Sequence, residues 1–208
     1  MSANPAIVEM LSAYHCQQEQ DYVNALREIM QNVALLAFSR TDFFSKAAFY
    51  GGTALRILYG LDRGSEDMDF ILLDNDDTFE LEQYALDIEK GFSAFGLKAA
   101  FTRKLKVGHQ NIQSGFLKSN TKAQLLSIGI DGILLGNLNP QKELKIKIEV
   151  DVNPPAGGNT EIRYIYQPVP FAVRSCTLPT LLAGKLHAVL FRNWNNRIKG
   201  RDWYDLAW

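Results

Sequence analysis

The sequence predicts an α/β (α+β) fold, a mixed β-sheet flanked by helices, on three observations. Residues 143 to 153, ELKIKIEVDVN, alternate polar and apolar side chains, the mark of a half-buried strand. Residues 18 to 37 repeat apolar side chains at Val23, Leu26, Met30, Val33 and Ala37, a helical stripe that packs into a core. A short apolar run, KAAFY (46 to 50), leads through Gly51-Gly52 into TALRILYG, which gives strand, turn and helix in succession.

The remaining elements follow from the same signals. The helix after the glycine turn is expected to open at Thr53, a good N-cap residue. MDFILL (68 to 73) reads as a strand, and TFELEQYALDIEKGFSAFG (78 to 96) as a helix closing on Gly96. LKAAFTRKLKV and AQLLSIGIDGILL read as strands on either side of a polar loop, 108 to 122. Pro154-Pro155 and Gly157-Gly158 end the 143 to 153 strand, and a proline-spaced connection then leads to a helix over 180 to 194. RDWYDLAW reads as a helix cut short, so the 208 residues are expected to be a fragment of a longer protein. The expected division is an N-terminal helical segment (1–45) packed on the core, a core of 46–175, and a C-terminal helical region of 176–208.

Composition is ordinary for a globular protein, with 47% hydrophobic and 22% charged residues. A net charge of -1 advertises neither nucleic acid nor membrane, but the charges are unevenly placed. Residues 74 to 90 hold seven acids against one lysine. Residues 91 to 130 hold no acid and six cations, Lys98, Arg103, Lys104, Lys106, Lys118 and Lys122. With Phe101 and Phe116 nearby, that stretch is a candidate RNA surface. Cys16 and Cys176 have no metal or redox spacing, and neither a signal pattern nor a long apolar run is visible. A cytoplasmic protein with no membrane partner is expected.

Three constellations carry chemistry. At Gly51-Gly52-Thr53 backbone N–H groups and a positive helix end face one space, a place for phosphate. Asp67 and Asp69 stand two apart, so an extended chain turns both to one face, and Glu149 with Asp151 repeats the pattern. Should those strands be neighbours, up to four carboxylates converge, a charge that calls for Mg2+ or Mn2+. Last, Lys185, Arg192, Arg197, Lys199 and Arg201 fall within seventeen acid-free residues, followed by Asp202 and Asp205. Cradle, carboxylates for two ions and cations for the remaining charge are the equipment of phosphoryl or nucleotidyl transfer. The three histidines, His15, His109 and His187, are expected to be structural or exposed.

GGTALR, RGSEDMDF, KIEVDVNPP and KLHAVLFR…RIKGRDWYDL together resemble the nucleotidyltransferase toxins of the AbiEii/AbiGii family, within the DNA-polymerase-beta-like nucleotidyltransferase superfamily. The resemblance covers roughly residues 46 to 206. It implies a polymerase-beta-like core and Mg2+-dependent transfer of a nucleoside monophosphate from an NTP, releasing pyrophosphate. It further implies an RNA or tRNA acceptor and a cognate antitoxin. By that resemblance Gly51, Gly52, Thr53, Arg63 and Ser65 hold phosphates, and Asp67 and Asp69 bind metal. Glu149 or Asp151 supplies the third acid, Glu149 being favoured because it follows Ile146-Lys147-Ile148. Lys185, Arg197, Lys199 and Asp202 contact or position the triphosphate. Transfer to a protein hydroxyl and a catalytically silent binding module are the rival expectations.

Overall fold

The computed structural model describes residues 3–104, 111–191 and 200–208. Helices α1 (Pro5–Ser12), α2 (Glu19–Ser39) and α3 (Phe43–Lys46) precede strand β1 (Ala47–Tyr50) and helix α4 (Gly51–Tyr59). Next come β2 (Met68–Leu72), a 3-10 turn (Leu81–Tyr84), α5 (Ala85–Ala94), β3 (Ala100–Arg103), β4 (Ile112–Asn120) and α6 (Thr121–Ser127). The chain continues through β5 (Glu143–Asp151), β6 (Thr160–Ile165), β7 (Phe171–Cys176), α7 (Leu178–Phe191) and α8 (Arg201–Ala207). The described strands form one seven-stranded sheet in the order β3-β4-β5-β2-β1-β7-β6. The β2–β5 and β1–β7 pairs are parallel and the others antiparallel, so the sheet is mixed.

Alternation along β5 divides the two faces. Leu144, Ile146, Ile148 and Val150 are buried, while Lys145, Lys147, Glu149 and Asp151 point the other way. In β2, Met68, Phe70 and Leu72 go into the core and Asp69 shares the opposite face. Helix α2 lies over the apolar face with its predicted stripe buried, and packs on α5 so closely that a Cβ at Gly91 would stand 2.7 Å from that of Ala37. Phe43 meets Phe70 edge-on at 4.9 Å and Tyr84 at 5.1 Å. Each such pair adds about 0.5–1.5 kcal/mol beyond the area it buries.

Several elements differ from expectation. Helix α4 opens at Gly51, with Tyr50 as its N-cap, so Thr53 lies inside the first turn. Its hydroxyl is drawn into side-chain bonding instead of capping, as described below. The 78 to 96 segment begins with a turn, in which the Asp76 carboxylate accepts the Thr78 N–H at 2.8 Å, before the 3-10 turn and α5. Residues 112 to 120, expected as loop, are strand β4, held between β3 and β5. Its hydroxyls are satisfied: Ser114 donates to Glu149 at 3.0 Å, and Ser119 to the Lys98 carbonyl at 2.6 Å. The apolar run after it is helix α6, not a strand, because Asn120 caps it by accepting the Ala123 N–H at 2.8 Å. The proline-spaced connection contains the β6–β7 hairpin.

Candidate active site

Parallel pairing of β2 with β5 sets Asp69 directly opposite Glu149 and Ile71 opposite Asp151. The two acid pairs therefore meet on one face of neighbouring strands. Asp67 and Asp69, Glu149 and Asp151, Gly51 and Gly52, Arg63 and Ser65, and Lys185 and Asp202 all line one cavity of about 310 Å³. A larger cavity of about 610 Å³ lies beside α1 and β6. Its carboxylate, Glu28, is already paired with Arg56 at 2.9 Å, and it carries no comparable chemistry.

The glycine turn wraps the carboxylates. Gly51 sits at φ +81°, and a Cβ there would lie 2.4 Å from Asp69 Oδ2, so only glycine lets the turn approach this acid. A Cβ on Gly52 would stand 3.1 Å from Arg63 Nη2, 3.2 Å from Ser65 Oγ and 3.6 Å from Lys185 Nζ. Its bare backbone thus faces two cations and a hydroxyl at the start of a helix, a cradle shaped for phosphate. Thr53 lies beneath the cradle, fully buried, and donates to the Asp67 carbonyl; its hydroxyl is also 2.8 Å from Ser65 Oγ. It secures the loop from inside. Gln31 of α2 reinforces the same loop by donating to the Ser65 carbonyl at 3.0 Å.

Charges in the cavity are arranged in opposition. Burial, then the neighbouring Glu149 and Asp67 charges, push the Asp69 carboxyl up to about 6, and Lys185 and Lys147 only partly oppose this. Glu149 is held by Lys147 at 2.6 Å and by Ser114. Lys185 reaches Asp202 at 3.0 Å and Asp205 at 2.8 Å. Asp205 also takes both arms of Arg63, each at 2.6 Å, and its side chain is fully shielded from solvent. Among the described residues no three acidic, histidine or cysteine side chains are gathered into a ready metal cage. The carboxylates instead form an open wall of oxygen donors whose mutual repulsion a divalent cation would relieve, so the donor set fits Mg2+ or Mn2+.

Arg197 and Lys199, with Arg192, Lys106 and His109, lie outside the described residues. His187 packs its ring on Phe191 at 4.9 Å. Sequence reasoning gave no site role to Asp205, Lys147, Ser114, Tyr50 or Gly184. Tyr50 and Gly184 belong together, since a Cβ at Gly184 would come 1.5 Å from the Tyr50 hydroxyl. A signal for Asp205 existed: it follows Asp202 by three residues, which places both on one helix face toward Lys185.

A phosphate cradle, a carboxylate wall and paired cations on a mixed sheet are the parts of a nucleotidyltransferase. The family described as nucleotidyl transferase AbiEii toxin, Type IV TA system, matches residues 33–208, and the chain belongs to it. Among solved structures, JHP933 from Helicobacter pylori shares the fold at a TM-score of 0.55 and 18% identity, over 92% of this chain and 66% of that one. A second H. pylori protein, provisionally named a nucleotidyltransferase, aligns at a TM-score of 0.54 and 18% identity, over 91% of this chain and 67% of that one. The chain thus spans about two thirds of the length of these structural relatives. No curated protein matches the sequence. Among the described residues no helix is long and apolar enough to cross a membrane.

Proposed function

We propose that the chain transfers a nucleoside monophosphate from an NTP to an acceptor hydroxyl on RNA, tRNA included, as the toxin of a toxin–antitoxin pair with a cognate antitoxin. The observation that supports this best is the meeting of the Gly51–Gly52 cradle with the Asp69–Glu149 cross-strand pair in one cavity. In the reaction the acceptor oxygen bonds to the α-phosphorus, the bond from that phosphorus to the bridging oxygen breaks, and pyrophosphate leaves. The cradle backbone and Ser65 hold the triphosphate, while Arg63 and Lys185 meet its outer oxygens. Asp205 and Asp202 aim those cations. Glu149 or Asp151 receives the acceptor proton. Asp67 and Asp69, with one of the later acids, would hold Mg2+ or Mn2+, which supplies charge neutralisation at the reacting phosphate.

Incubation of the protein with α-labelled NTPs, Mg2+ and total RNA or whole lysate tests this. Label in RNA is the expected result. Label in protein, or in neither fraction, overturns it.

A further inference from the structure

The candidate RNA surface of the sequence is reshaped by the fold. Arg103 is neutralised by Glu80 at 3.0 Å and Glu82 at 3.4 Å. Phe101 packs on Gly115, where a Cβ would come 2.3 Å from its ring, so it serves as structure and not as a platform for bases. Lys122 reaches back to the Leu138 carbonyl. Of the others, Lys118, Phe116 and Lys104 are gathered by strand register on the face that carries the carboxylates. Lys118 stands opposite Lys145, and Phe116 stands opposite Lys147, two residues along β5 from Glu149. The Lys104 N–H bonds the carbonyl of Ser114, itself opposite Glu149, which brings a further exposed lysine to the edge of this face.

Like charges set directly across a ladder are unfavourable to the fold. Among the described residues Lys145 is offset only by Glu143 at 3.3 Å, with its side chain 54% exposed. A polyanion laid across the pair would remove that cost. Phe116 is half-buried, with Lys147 opposite it and the Lys118–Lys145 pair beside it, where a base can stack on its ring. On the nucleotidyl-transfer reading above, we infer that the acceptor is a single-stranded nucleic acid whose backbone crosses the β3–β4–β5 end of the open sheet face. Lys104, Lys118 and Lys145 contact its phosphates, Phe116 stacks one base, and its terminal hydroxyl reaches Glu149. A folded protein substrate has no regular phosphate array to match this ladder.

The test is fluorescence anisotropy with a labelled single-stranded RNA oligonucleotide, titrated over a range of salt, together with calorimetry of NTP binding. In Lys118→Gln/Lys145→Gln, RNA affinity should fall about 10-fold or more near 0.1 M salt, and the salt slope should become shallower by about 1.4. Phe116→Ala should also weaken RNA binding by about 10-fold. The Lys118→Arg/Lys145→Arg form should bind like wild type, which guards against a fold defect. RNA affinity and salt slope unchanged in the glutamine double variant, or an arginine form as weak as the glutamine one, overturns the inference. NTP affinity is read separately: wild type that fails to bind NTP while RNA behaves as expected sinks the transfer reading and leaves this surface standing.

Discussion

Asp205→Asn is the most searching perturbation, because one side chain holds two site cations. Both carboxylate oxygens are engaged, by Arg63 at 2.6 Å on each and by Lys185 at 2.8 Å on one. Asparagine turns one acceptor into a donor aimed at a cation and deletes the charge between them. Removing one partner of a buried ion pair costs about 3–5 kcal/mol. Arg63 and Lys185 side chains stay 21% and 13% exposed, and Lys185 keeps Asp202 at 3.0 Å, so the low end applies, about 3 kcal/mol. For a chain of this size that is a fall in Tm of roughly 6–12 °C, read by circular dichroism at pH 7. Burial works to raise the Asp205 carboxyl, but its bonds to Arg63 and Lys185 outweigh burial and hold it below the ordinary carboxylate value. Its stabilisation is therefore complete above the unfolded value near 3.9 and is lost as pH falls through the native one. The gap between wild type and variant should stay constant from pH 5 to 8 and close below about pH 4. A Tm within 2 °C of wild type, or a gap undiminished in acid, refutes the reasoning.

Asp69→Asn should abolish transfer yet stabilise the chelator-treated protein at pH 7 by about 3 kcal/mol, since it removes a carboxylate raised from 3.8 to about 6. The native state holds that proton after the unfolded chain has released it, so wild-type stability should decline between about pH 4 and 6 and the variant should lack that decline; a destabilised variant would count against the cavity electrostatics. Gly51→Ala forces a methyl to within 2.4 Å of Asp69 Oδ2 at a positive φ, and should lower stability by about 1–3 kcal/mol in denaturant titration. Lys185→Ala should weaken NTP binding, and unchanged affinity in calorimetry would remove it from the site. Glu149→Gln should cost on the order of 100-fold in transfer, and Asp151→Asn less, because Glu149 stands opposite Asp69; the reverse ranking in single-turnover kinetics would hand the third acid's role to Asp151.

Local pattern made much of the molecule legible. The strict alternation of residues 143 to 151 announced both the strand and which of its side chains share the face of Glu149 and Asp151, because a pleat turns every second residue the same way. The stripe from Val23 to Ala37 announced the helix and its buried side. Gly51-Gly52 marked the turn, and Asp67 with Asp69 marked the acids. Residues 112 to 135 were misread, since a polar strand held by two neighbours and a short capped apolar helix both look like something else until their partners are known.

Only the tertiary structure decided which acids meet, because the β2–β5 register joins residues 80 apart and no local preference encodes it. It also turned Thr53 from a cap into a strut beneath the cradle, and revealed Asp205 as the anchor of Arg63 and Lys185. Chemical identity is written along the chain, where side-chain type and period are local properties. Proximity between distant charges is written in the packing of the sheet, which depends on every strand at once.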